Sequence, residues 1–66
     1  MRVRVNGQDR ELAAGATVAD LVAGFELQPK HVAVEINRDL VVRAHYGSTM
    51  IAEGDRIEIV TLVGGG

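Results

Sequence analysis

The residues of this 66-residue chain whose types and spacing suggest chemistry are the histidines His31 and His45, the acids Glu53 and Asp55 around Gly54, and the run Gly64-Gly65-Gly66. The histidines are separated by strand and turn patterns and form no i, i+4 ligand pair, so they read as surface or turn residues rather than metal ligands. Two acids flanking a glycine could act as an acid/base pair, yet that composition is first of all the composition of a turn. There is no cysteine, which excludes a disulfide, a thiolate zinc site, a thiol nucleophile and a persulfide carried by this chain. The glycine run follows a strand pattern and opens no helix, so it is not a phosphate-cradling loop.

That run has two readings. Taken alone, it is a frayed terminus. Alternatively, a terminus without Cβ atoms is narrow enough to thread into an enzyme's channel and present the Gly66 carboxylate to a reagent bound inside. A carboxylate is a poor acyl donor because its leaving group is oxide. Reaction there requires activation, most directly as a mixed anhydride with AMP. Nothing in the chain could bind ATP, so an adenylating partner would supply the phosphate contacts and the magnesium, and this protein would be its macromolecular substrate.

The elements that must carry the glycine run are legible in the pattern. Val3 and Val5 alternate with Arg2 and Arg4, and Asn6-Gly7 suits the two positive φ angles of a tight hairpin, predicting a second strand over Gln8 to Leu12. Val18, Leu21, Val22 and Phe25 lie on one face of a helix, and Thr17 with Asp20 three residues later resembles a capping box. Pro29 stops that helix from running on. Val32, Val34 and Ile36 alternate in a third strand, Asn37-Arg38-Asp39 turns the chain into a fourth at Leu40 to Val42, and residues 44–50 read as irregular or briefly helical. After the turn at Gly54, Arg56 to Val63 predicts a last strand with Ile57, Ile59, Thr61 and Val63 on one side and Glu58, Val60 and Leu62 on the other. The order ββαβββ indicates an α+β domain in which the helix packs across a mixed sheet, on the face bearing Val3, Val5, Val34, Ile57 and Ile59.

Composition narrows the function classes further. A hydrophobic fraction of 47% with 24% charged residues suits one packed domain rather than a disordered chain. A net charge of -2 gives no electrostatic grip on a phosphate backbone, and with Phe25 and Tyr46 as the only aromatics there is no stacking platform, so nucleic acid is not expected as a partner. No apolar run approaches the roughly 18 residues that span a bilayer, and the first residues lack the layout of a secretory signal; a cytoplasmic protein without membrane contact is the expectation.

Length, element order, Asn6-Gly7, the Gly54-Asp55 turn, the run Arg56-Ile57-Glu58-Ile59-Val60 and the Gly65-Gly66 end together resemble the ThiS family, the sulfur carriers of thiamine biosynthesis, over the whole chain. The segments Val32 to Arg43 and Gly54 to Gly66 carry the strongest likeness. Arg38-Asp39 stands where the family often has Gly-Glu, and Val42 where it often has proline. The resemblance implies a ubiquitin-like β-grasp fold over residues 1–63 with a flexible tail at 64–66. It also implies that the Gly66 carboxylate is adenylated by a ubiquitin-activating-type, ThiF-like enzyme and converted to a thiocarboxylate with sulfur from a cysteine desulfurase. Delivery to a ThiG-like thiazole synthase follows. Such a chain is a protein cosubstrate rather than an enzyme, binds no cofactor itself, and is expected to be a monomer when free. A molybdopterin-synthase small-subunit-type carrier, a ubiquitin-like conjugating tag and a β-grasp binding module with an inert tail are the alternatives.

Strict alternation points Val60 and Leu62 to solvent, beside Arg2 and Arg4 if the first and last strands are neighbours. Scattered exposed apolar residues are common. These two, however, immediately precede the tail that must enter a partner, so Val60, Leu62, Val63, Gly64 and Gly65 are the expected partner-binding residues, with Gly66 the reacting one.

Overall fold

In the computed structural model, residues 1–62 are described. The elements are β1 (Arg2–Val5), β2 (Gln8–Glu11), α1 (Val18–Gly24), β3 (Val32–Ile36), β4 (Asp39–Val41) and β5 (Arg56–Thr61), with short 3-10 turns at Pro29–His31 and Arg43–His45. The expected order ββαβββ holds, with the second and fourth strands shifted by about a residue at their ends and the last strand ending at Thr61, so that Leu62 follows it rather than lying within it as expected. Val63 and Gly64 to Gly66 lie outside the described residues, as does the expected domain boundary at residue 63. Among the described residues, no helix is long and apolar enough to cross a membrane.

The five strands form one mixed sheet in the order β2-β1-β5-β3-β4. The last strand is therefore the central one, parallel to β1 and antiparallel to β3. Helix α1 lies across one face, and the arrangement is the ubiquitin-like β-grasp. The core consists of Val3, Val5, Val32, Val34, Ile57 and Ile59 from the strands and Val18, Leu21 and Val22 from the helix, closed by Tyr46 and Ile51. The expected inner face of the sheet is the observed one. Phe25 packs against this cluster half-buried, with the Arg10 guanidinium 5.1 Å above its ring.

The helix is only seven residues long, too short to persist on propensity alone. Its N-terminal N–H groups are satisfied one by one. Asp20 N–H donates to Thr17 Oγ1 at 3.2 Å while Thr17 N–H donates to the Asp20 carboxylate at 2.9 Å, completing the expected capping box. Val18 N–H donates to the Thr49 carbonyl and Ala19 N–H to that of Tyr46, so the segment after the Arg43–His45 turn serves as a second cap. This role explains why Tyr46 and Ile51 are buried although residues 44–51 show no periodicity.

Two asparagines secure β5. Asn6 and Gly7 take φ of 52° and 81°, the hairpin geometry expected of them, and Asn6 has a further role. Strand β1 ends at Val5, yet the Asn6 amide continues its pairing, accepting from Ile59 N–H at 2.9 Å and donating to the Ile59 carbonyl at 3.2 Å. At the other end, the Asn37 side chain accepts from Arg56 N–H at 3.0 Å and donates to Asp55 at 3.1 Å. Arg38 follows Asn37 with φ of 73°, a conformation that costs a residue with a Cβ about 1–2 kcal/mol.

Leu21 is buried among both layers, so Leu21→Ala is expected to lower the unfolding free energy by about 2–5 kcal/mol in urea denaturation. Asn6→Ala deletes both side-chain bonds to Ile59 and is expected to lower it by about 2 kcal/mol. Wild-type stability in either variant would contradict this account of the sheet.

Candidate functional site

Strand β5 carries the candidate residues because of where it runs. Its first residues, Arg56 and Ile57, pair with Arg4 and Val5 of β1, and Ala33 and Val32 of β3 flank its end at Val60 and Thr61. The last described tie on the way to the glycine run is the Leu62 N–H, which donates to the His31 carbonyl at 2.8 Å. Beside this tie an open groove of about 710 Å³ runs between Glu26–Gln28, past the helix, and Thr61 with Leu62, with Lys30 and His31 on its rim. The described chain thus leaves the sheet next to a groove, at the end that also holds the β1–β2 turn and opposite the turn between β3 and β4.

On the sheet face opposite the helix, register decides which side chains meet. Val60 is level with Ala33 of β3, and the β3 to β4 register continues that row to Val42. With Leu62 beyond it and Leu40 beside it, this end of the face is apolar: Val60 is 56% exposed, Leu62 50%, Val42 50% and Leu40 65%. The next row back along the strands is Leu40, Glu35 and Glu58, and the next contains Arg56, Arg4 and Asp9. Val60 and Leu62 are outward and exposed, as alternation predicts. The expected neighbours Arg2 and Arg4 are not beside them. Strand β1 is parallel to β5 but stops level with Ile57, so the arginines flank the start of β5 and the apolar residues flank its end.

Leu40 and Val42 were not expected in this surface. Strand β4 is only three residues long, and neither alternation nor composition marks which face of it joins the patch until the register with β3 is known. Val63, Gly64, Gly65 and Gly66 lie outside the described residues.

The other sequence candidates have structural roles. Asp55 accepts from Ala52 N–H at 2.8 Å and from the Asn37 amide, while Glu53 accepts from Arg2 N–H at 3.0 Å; the pair closes the turn before β5. His31 and His45 are exposed residues of the two 3-10 turns, and both use their carbonyls as acceptors. Among the described residues, no group of three or more His, Cys, Asp or Glu side chains could hold a metal ion. The carboxyl of Glu11 is held below its ordinary range, chiefly by the hydrogen bond and charge of the Met1 ammonium and to a smaller extent by Arg2. It stands on β2, the edge strand farthest from β4 and the apolar patch.

Three comparisons bear on this arrangement. The chain is 35% identical to the sulfur carrier protein ThiS of Bacillus subtilis over 97% of this chain and 98% of that one. It superposes on the crystal structure of the thiamine biosynthesis protein ThiS from Geobacter metallireducens with a TM-score of 0.84, at 29% identity and full coverage of both chains. It is also 39% identical, over its whole length, to a segment of the thiazole synthase of Magnetococcus marinus, and spans about 20% of that longer chain. The ThiS family model matches residues 3–66, and so the chain belongs to the ThiS family.

Proposed function

We propose that this protein carries sulfur on the carbonyl carbon of Gly66 for the formation of the thiazole ring of thiamine. The observation that carries this reading is the family match, which runs through the glycine run to residue 66. The carboxylate attacks the α-phosphate of ATP in the active site of a ubiquitin-activating-type enzyme, pyrophosphate leaves, and the product is an acyl adenylate. The persulfide that a cysteine desulfurase supplies then attacks the acyl carbon through its terminal sulfur, and AMP departs in place of the oxide that could not leave unaided. A thiol cleaves the acyl disulfide so formed by exchange, itself ending in a disulfide and releasing the thiocarboxylate. The resulting thiocarboxylate is a far better nucleophile at sulfur than the carboxylate was at oxygen. ATP, magnesium and the sulfur source belong to the partners. This chain supplies the acyl group, the narrow Gly64-Gly65 approach to it, and the surface that docks.

Thiazole synthase is the acceptor in this reading. The M. marinus thiazole synthase contains a segment similar to this whole chain, so carrier-like and synthase portions occur there in one polypeptide. Val60 and Leu62, with Leu40 and Val42 beside them, supply the apolar surface that seats the body of the carrier while the residues after Leu62 reach into the partner.

Deleting Gly66 is expected to leave the unfolding midpoint unchanged and to abolish ATP-pyrophosphate exchange catalysed by the adenylating enzyme; full exchange with the deleted chain would overturn the proposal. Exchange with the intact chain separates a carrier from a binding module, which would support none, and a conjugating tag is told apart by mass spectrometry as adducts on lysines of other proteins. Val60→Asp combined with Leu62→Asp is expected to keep the fold, since both residues are exposed. It should weaken binding to the adenylating enzyme and to thiazole synthase at least tenfold, because each carboxylate must shed water in an apolar contact. Unchanged affinity, measured by calorimetric titration, would remove this patch from the docking surface.

A further inference from the structure

The outer face of the sheet holds two cross-strand pairs of like charge. Glu35 and Glu58 are directly opposite on β3 and β5, and Arg4 and Arg56 are directly opposite on β1 and β5. All four side chains are exposed. Like charges in such positions destabilise a sheet, whereas exchanging Arg56 and Glu58 along β5 would place an acid opposite Arg4 and a base opposite Glu35. The neutralising partners within the chain are few. Arg4 has an exposed ion pair with Asp9 at 3.5 Å, and among the described residues no ion pair within 4.0 Å reaches Arg56, Glu35 or Glu58. The two rows are consecutive, about 7 Å apart along β5, and the acidic row adjoins the apolar patch.

We infer that this face is an oriented docking surface for thiazole synthase, which must offer an apolar seat for Val60 and its neighbours, then cationic side chains against Glu35 and Glu58, then an acidic group against Arg4 and Arg56. This inference rests on the docking reading above and adds direction to it. An apolar patch alone accepts a partner in many rotations. Rows of opposite sign beside it leave one rotation with all three contacts complementary, whereas docking turned end to end sets the partner's acidic group against the apolar patch and buries Arg4 and Arg56 against its apolar seat. That rotation points the end of β5, and the residues beyond it, along a fixed direction into the partner. Thiazole synthase is the occupant named because the M. marinus chain of that name contains a segment matching this whole chain.

The test is the double variant Arg56→Glu with Glu58→Arg, which keeps composition and net charge. Its thermal midpoint and its affinity for purified thiazole synthase from the same genome are measured at low and high salt. The expected results are a midpoint raised by a few degrees and an affinity at least tenfold weaker at low salt, with the gap narrowing as salt rises. Wild-type affinity in this variant, or a lowered midpoint, would overturn the inference, as would a loss confined to the adenylating enzyme. The Val60→Asp, Leu62→Asp variant separates the two levels of the argument: if it still binds, the docking reading itself fails, and if it alone loses binding, only the orienting role of the charges fails.

Discussion

The structure depends on β5 being hydrogen-bonded along both edges. As the central strand it places Ile57 and Ile59 under the helix, presents Glu58 and Val60 on the opposite face, and leads out toward the glycine run at one end. A strand emerging from an edge would expose unpaired N–H and C=O groups beside the tail and invite unspecific pairing with other chains. Here the end of β5 is flanked by β3 on one side and by the Asn6 amide on the other, which takes the place of the peptide that β1 lacks. The reactive terminus proposed above therefore leaves from a finished sheet.

This arrangement separates stability from function in space. The core involves one face of the sheet, one seven-residue helix and the loop that caps it, with no buried polar side-chain atom left without a partner among the described residues. A domain of this size has only a few kcal/mol of net stability, so the inner face has little tolerance for change. The outer face contributes much less to folding and is correspondingly free to carry exposed apolar residues and opposed like charges. In the carrier role proposed above, a surface of that kind can be shaped by its partners while the fold is held from behind.

Much of this was legible in the sequence, for identifiable reasons. Val3, Val5, Val34, Ile57 and Ile59 could be assigned to one face because strand periodicity is two, and Thr17 with Asp20 marked the helix start because their side chains satisfy groups only three residues away. Asn6-Gly7 likewise has a local cause. Tyr46 and Ile51 were not legible as core, because they are buried by docking on the helix N-terminus rather than by belonging to a periodic element. The second roles of Asn6 and Asn37 depend on β5, some 50 and 18 residues away in the chain, and no local pattern announces them. The face proposed to dock was half legible: alternation placed Val60 and Leu62 outward, but the arginines expected beside them flank the start of β5 instead, and Leu40, Val42 and the paired charges emerge only from strand register.

The central claim is that Gly66 bears the transferable sulfur. Intact protein is incubated with the adenylating enzyme, ATP and the cysteine desulfurase system, then cleaved after arginine, and the peptide from Ile57 to Gly66 is weighed by high-resolution mass spectrometry. Localising the change matters because oxidation of exposed Met50 adds nearly the mass gained when sulfur replaces oxygen, and this peptide contains no methionine. The account predicts that the C-terminal peptide gains the mass of one sulfur for one oxygen, only when ATP is present. A C-terminal peptide of unchanged mass under conditions that convert the Bacillus subtilis carrier would contradict it.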